Sequence, residues 1–276
     1  MWLGVKTPLH HASWQAVHDA WRTADQCDSL ASAWVFDHVT AVWGDQTGPC
    51  MEAWTALAAL SAVTTRIAVG TMCSPIALRH PFLLAQMACT VQQVSGGRLC
   101  LGVGSGSKAW ELDGLGLSHP SSAARAERLS EGITLIAHAL SRDGAFHHVG
   151  RFYDCHMPTG AKRTLGEFPK PELVVGGRSD RILRIAAAQA DHWNFPKGTR
   201  AEYEQARDTM TRYAMELGRS VPSCSAHIVW EGFSPRWLLD ELKAWSATGV
   251  GGVIVALPAP WPPDAVNRLA DVANRL

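Results

Sequence analysis

Asp37 and His38 stand together directly after a short run of core residues, SAWVF at 32–36. A neutral imidazole in that position can exchange a proton or polarise a carbonyl near neutral pH, and an adjacent carboxylate can fix its tautomer. The pair can equally serve the local backbone through hydrogen bonds. Two glycine clusters add further candidates. Gly104-Ser105-Gly106 follows an apolar run, and residues without Cβ let backbone approach a ligand closely, although a plain tight turn needs the same residues. Gly176-Gly177-Arg178 precedes a helical segment at 179–189. There, exposed backbone N–H groups with Arg178 and Arg181 would suit a phosphate, and an ordinary strand-to-helix turn with solvated arginines would look alike.

Other chemistries find less support. Gly102, Gly104 and Gly106 keep the start of a dinucleotide fingerprint, but Ser107 stands where its third glycine belongs and no acidic residue follows at the ribose-binding distance. His147, His148, Cys155 and His156 are close in sequence, yet their spacing fits no common zinc pattern, so no metal site is expected. His10-His11 reads as a polar loop, and tryptophans such as Trp14 and Trp21 read as core residues on helix stripes. There is no GxSxG, HExxH or P-loop motif.

The elements that must position these residues alternate along the chain. Short β-branched runs at 2–6, 32–36, 66–71, 98–103, 171–175, 192–195, 224–230 and 252–257 read as strands buried on both faces. Between them lie apolar stripes at helical spacing: Leu84, Met87, Val91 and Val94; then Leu129, Ile133, Ile136 and Leu140; then Tyr203, Ala206, Met210, Tyr213 and Leu217; and finally Val266, Leu269, Ala273 and Leu276. Eight strand–helix units in 276 residues match the size of a (β/α)8 TIM barrel, about 250 residues. A doubly wound open sheet repeats the same units. The expected organisation is one barrel domain over 1–276, interrupted by an inserted loop and hairpin at 143–170 around Phe146 and Phe152-Tyr153.

Composition narrows the classes of function. Lys+Arg and Asp+Glu are equal at 25 each, which argues against binding nucleic acid through many phosphate contacts. Apolar residues make up 47% and charged residues 18%, too apolar for a disordered chain. No apolar run approaches the roughly 20 residues of a membrane-spanning helix, and the first residues have no signal-peptide pattern. The seven cysteines are scattered and odd in number, as expected of reduced thiols in the cytoplasm.

Several segments in this order resemble the luciferase-like monooxygenase superfamily, in particular its coenzyme F420-dependent oxidoreductases. They are SAWVFDH (32–38), EAWTALAALSAVTTRIAVGT (52–71), RHPFLLAQMACTVQQVSGGRLCLGVGSG (79–106), FPKPELVVGG (168–177) and ILRIAAAQADHWN (182–194). The resemblance implies a TIM barrel of the bacterial luciferase type with a flat tricyclic cofactor, F420 or FMN, in its mouth. It implies a nonprolyl cis peptide at Met72–Cys73, in a bulge that backs the middle ring of the cofactor. His38, beside the ring with Asp37, is then the proton donor or acceptor. Ser105 and Gly106 contact the cofactor's tail, and Gly176 and Gly177 its phosphate, with Arg178 adjacent.

The resemblance points to hydride transfer between F420 and a small organic substrate. The alternatives are an FMN-dependent monooxygenase, served by a separate reductase, and a non-catalytic flavin-binding barrel. Members of the family often pair into homodimers through helices near the N-terminal half. One departure bears on substrate: the F420-dependent sugar-phosphate dehydrogenases carry a catalytic Glu where this chain has Ser107, and Glu111 lies one helical turn further on.

Overall fold

The computed structural model describes residues 1–276. In chain order its elements are β1 (Trp2–Thr7), α1 (Trp14–Gln26), β2 (Ser32–Val35), α2 (Ala53–Ala62), β3 (Ala68–Thr71), β4 (Ser74–Pro75) and α3 (Pro81–Val94). There follow β5 (Leu99–Gly104), α4 (Ala109–Gly114), α5 (Ser122–Ser141), β6 (Phe146–Val149), β7 (Asp154–Met157), α6 (Lys162–Leu165) and β8 (Glu172–Gly176). The last are α7 (Asp180–Gln189), β9 (His192–Phe195), α8 (Arg200–Glu216), β10 (Ser223–Val229), α9 (Pro235–Ser246), β11 (Gly252–Ala256) and α10 (Ala265–Ala273). Local chemistry sets the helix ends: the Ser13, Ser121 and Ser234 hydroxyls cap α1, α5 and α9, Thr199 and Glu202 form a capping box on α8, and Gly218 (φ 64°) lies just beyond the end of α8.

Eight parallel strands close into a ring, β1-β2-β3-β5-β8-β9-β10-β11, with β11 returning to β1. This is the expected TIM barrel, and the eight strands foreseen from the apolar runs are the eight staves, with ends that differ by at most two residues. The larger hydrophobic core lies outside the ring, where 68 buried residues knit strands to helices. The barrel interior is a separate small cluster of Trp34, Met72, Val174 and Ile254. Its indole fills so much of the centre that a Cβ on Gly70 would lie 2.6 Å from Trp34 Cζ3 and from the Cys100 carbonyl oxygen. Glycine at 70 is therefore a packing requirement.

Strand alternation sorts inward residues into levels. Trp2, Ser32, Cys100, Glu172, His192 and Ser223 line an opening at the N-terminal end of the barrel. Four residues further along their own strands, Lys6, Phe36, Gly104, Gly176, Pro196 and His227 line a cleft at the C-terminal end. A period of two thus fixes which side chains the strands deliver to the working face.

The inserted segment is a hairpin, β6 paired antiparallel with β7 from Phe146↔Met157 to Val149↔Asp154. Phe152 and Tyr153 lie in its turn, ahead of β7. The turn is anchored by Glu131, whose carboxylate accepts from the backbone N–H groups of Arg151 (3.0 Å), Phe152 (3.1 Å) and Tyr153 (2.8 Å). His147 Nδ1 and His156 Nδ1 face each other at 2.9 Å, and no three His, Cys, Asp or Glu side chains converge to hold a metal ion.

Two local expectations need correcting. His10 is buried, not part of a polar loop: its ring stacks on Phe36 (5.4 Å between centroids) and its backbone bridges to Cys50. Trp14 begins α1 on the exposed side, whereas Trp21 is wholly buried and donates from Nε1 to Thr7 Oγ1 at 2.9 Å. A first-turn tryptophan can share its helix's register and still lie beyond the edge of the barrel. No helix is long and apolar enough to cross a membrane.

Candidate active site

The cleft at the C-terminal ends of the strands has a volume of about 420 Å³, within the range of small-molecule sites. Phe36, Val42, Trp43 and Met72 give it apolar walls, and Gly104-Ser105-Gly106 and Gly176-Gly177 give it backbone edges. Lys6, Lys108, Lys197, His38 and His227 also line it, and no carboxylate does. A cleft so lined favours an anionic ligand.

His38 follows β2 at the lip of the cleft. Its Nδ1 lies 2.6 Å from Glu111 Oε2, across from the short helix α4. Glu111 Oε1 accepts from the backbone N–H groups of Val39 (2.9 Å) and Thr40 (3.3 Å). Burial works against ionisation of Glu111, but the hydrogen bond from His38 and the two backbone donors outweigh it and hold the carboxyl below the usual glutamate range. An ionised carboxylate only accepts, so His38 carries its proton on Nδ1 and keeps Nε2 as the second ring nitrogen.

Asp37 is turned away from this imidazole. Its carboxylate is buried and accepts from Arg79 Nη1 (2.5 Å), Arg79 Nη2 (3.1 Å) and Trp54 Nε1 (3.1 Å). Arg79 also reaches Glu52, the N-cap of α2, so Asp37 ties the end of β2 to the starts of α2 and α3. The carboxylate that meets His38 is Glu111.

The bulge between β3 and β4 puts Met72 and Cys73 in the cleft with a cis peptide bond between them. Burial pushes the Cys73 thiol up to about 11, so it faces the cleft uncharged near neutral pH. Cys73 Sγ occupies the place where a Cβ on Gly176 would be, which makes the bare backbone at 176 a condition of this bulge. Ser105, Gly106, Gly176 and Gly177 all line the same cleft. Gly177 has φ 143°, its carbonyl accepts from Trp193 Nε1 at 2.7 Å, and its N–H donates to the Asn194 carbonyl at 3.2 Å. Arg178 points elsewhere, into a neighbouring groove where its Nη1 pairs with Glu202 at 2.9 Å. The cleft thus brings together His38, Met72, Cys73, Ser105, Gly106, Gly176 and Gly177, and leaves Asp37 and Arg178 outside.

Lys6, which the sequence offers as a residue at the end of the first strand, also lines the cleft, together with Lys108, Lys197, His227, Phe36 and Trp43, which were not singled out as a site from sequence. Alternation along β1 and β10 was the available signal for Lys6 and His227. Burial pushes the Lys6 ammonium down to about 7, against a smaller opposing pull from Cys73.

The chain belongs to the luciferase-like monooxygenase family, which residues 1–232 match. It is similar to an uncharacterized protein of Mycobacterium tuberculosis (strain H37Rv), 30% identical over 213 residues that cover 77% of this chain and 70% of that one. It is also similar to an F420-dependent glucose-6-phosphate dehydrogenase of Microbacterium testaceum, 37% identical over 161 residues covering 58% of this chain and 46% of the dehydrogenase. Among solved structures, an F420-dependent secondary alcohol dehydrogenase in complex with an F420-acetone adduct superposes with a TM-score of 0.86 at 15% identity, covering 98% of this chain and 97% of that one. The fold is shared and the protein is an oxidoreductase of the luciferase-like type, in a family with F420- and FMN-dependent members.

Proposed function

We propose that the protein is an F420-dependent oxidoreductase that moves a hydride between the deazaflavin ring and a small organic substrate, with His38 as proton donor or acceptor. The observation that carries this reading is the His38–Glu111 contact of 2.6 Å at the lip of a cleft with flat apolar walls and no carboxylate lining. The similarity over 161 residues to an F420-dependent dehydrogenase is in keeping with F420 as the cofactor.

The residues present fit a flat cofactor with an anionic tail. Met72 and Cys73 form the bulge that a ring would rest on. Ser105, Gly106, Gly176 and Gly177 line the same cleft, where a tail and phosphate would lie along them. When bound, the deazaflavin supplies a carbon that gives or takes a hydride. The chain's own part is to hold and move the matching proton. His38, fixed as the Nδ1–H tautomer by Glu111, presents Nε2, which takes a proton from a substrate hydroxyl in oxidation and returns it to the oxygen in reduction. Phe36 and Trp43, packed edge to face at 5.1 Å, form the apolar side of the cleft. Asp37 holds the strand end through Arg79, so that His38 starts from a fixed backbone.

Replacing His38 tests the assignment. His38→Ala should lower turnover by about 10²- to 10⁴-fold, the usual contribution of a general acid–base group, with F420 affinity kept. Unchanged turnover would remove His38 from the mechanism.

A further inference from the structure

Two polar groups on the floor of the cleft have no partner in the protein. Lys6 is 6% exposed, and its ammonium lies over the Phe36 ring, 4.3 Å from the centroid, with no carboxylate near enough to act on it. His227 projects into the same cleft from β10, and its Nε2 is buried without a hydrogen-bond partner. Only β11 separates β1 from β10 in the ring. On β11 the residue in register with Lys6 is Ala256 and the one in register with His227 is Ile254, so the two side chains enter the cleft one level apart and both line it. A buried imidazole nitrogen is normally satisfied, so an unpartnered Nε2 in the lining of a cleft that also holds a lysine without a carboxylate partner marks the place of a ligand oxygen.

We propose that Lys6 and His227 form the subsite for a carboxylate on the substrate. The inference rests on the oxidoreductase reading and names the class of compound the cleft accepts, a small organic acid with an apolar body. The body fits against Phe36, Val42 and Trp43, and the carboxylate accepts from Lys6 Nζ and His227 Nε2. The glycine edges offered to the cofactor's tail belong to β5 and β8, on other staves of the barrel. Burial holds Lys6 near the point of neutrality, and the same effect, followed by the charges of Lys6 and Lys197, holds His227 well below the ordinary histidine range. A carboxylate between them reverses that balance and draws a proton onto Lys6.

Benzoate is a suitable probe and benzamide its uncharged counterpart, both titrated by calorimetry into the cofactor-free protein at about pH 8 in two buffers of different ionisation enthalpy. Benzoate should bind with uptake of close to one proton, and benzamide should bind at least about tenfold more weakly, as loss of a charge-assisted hydrogen bond requires. Lys6→Met should weaken benzoate by about 10- to 100-fold. Lys6→Arg should keep binding and abolish proton uptake, because guanidinium is already charged. The other titratable groups at the cleft, His38, Cys73, Lys108, Lys197 and His227, are present in both variants, so the difference assigns the proton to Lys6. The uptake measurement on the unmodified protein needs no variant to fold.

Equal binding of benzoate and benzamide, binding without proton uptake, no binding of benzoate, or unchanged benzoate affinity in Lys6→Met would each overturn the proposal. FMN and riboflavin titrated into Lys6→Met separate the two sources of an anion: weakening of FMN alone would give the subsite to a cofactor phosphate and overturn the substrate assignment. F420 affinity of the unmodified protein reports on the oxidoreductase reading independently, since it can fail while benzoate still binds as described.

Discussion

His38 and Glu111 are 73 residues apart and meet at 2.6 Å, imidazole Nδ1 to carboxylate Oε2, with the carboxylate's other oxygen held by the backbone of Val39 and Thr40. The contact joins the end of β2 to α4, and it makes the carboxylate both the orienter of the imidazole and the clasp of the loop that follows it.

Replacement of Glu111 should therefore act on chemistry and stability together. Glu111→Gln places an amide NH2 or an amide oxygen against donors that need a carboxylate. Turnover should fall by part of the about 10²- to 10⁴-fold that His38 contributes. Imidazole nitrogen NMR should show a single Nδ1–H tautomer in the unmodified protein and a mixture in the variant. Because the folded-state pKa of Glu111 is depressed, its stabilising contribution is present above the ordinary glutamate value of 4.5 and lost as pH falls through the lower folded value. Denaturant melts should thus show the variant weaker at neutral pH, with the gap closing in acid. A gap independent of pH would separate the stability effect from ionisation.

Asp37 behaves differently. Asp37→Asn leaves the part-buried guanidinium of Arg79 with Glu52 as its one carboxylate partner, and losing hydrogen bonds to a charged group costs about 1.5–3 kcal/mol. Urea unfolding should register a loss of that order, while turnover per folded molecule should fall far less than in His38→Ala. A collapse of turnover at unchanged stability would return Asp37 to the chemistry.

Lys6 sets a stability trend in the opposite pH range. Its pKa is lowered by burial from 10.5 to about 7, so between those values the unfolded chain binds the proton and the folded chain does not. Stability then rises as pH climbs from about 7 toward 10.5, and this single group accounts for a few kcal/mol of the rise, at about 1.4 kcal/mol per pKa unit. Lys6→Met should be more stable than the unmodified protein near neutral pH and should show a flatter profile above it. A profile unaltered by the substitution would mean that Lys6 is not held neutral by burial.

Much of the barrel was legible because its strands are buried on both faces, which leaves unbroken apolar runs such as GVIVA at 252–256. The helix stripes were legible for the complementary reason that one face of each helix meets those strands. The two-residue strand β4 and the six-residue helix α4 carry too few residues for any period to register. Within the site, the strand ends of the barrel pointed to His38, Met72, Cys73, Ser105 and Gly176, because position in the fold is enough to place them. Side-chain direction is what sequence withheld. Asp37 precedes His38 in the chain yet faces Arg79, and the partner of His38 comes from a helix whose place over β2 no local pattern announces. Arg178 likewise follows the glycine pair and turns to Glu202.

Titration of the purified protein with F420 and, separately, with FMN tests the central claim most directly, using each cofactor's own fluorescence. The deazaflavin reading predicts tight, saturable binding of F420, weaker binding of FMN, and F420 affinity retained in His38→Ala. Preference for FMN would contradict it and place the protein among the flavin-dependent monooxygenases of the family. Binding of neither would leave the cleft without the cofactor on which the proposed chemistry depends.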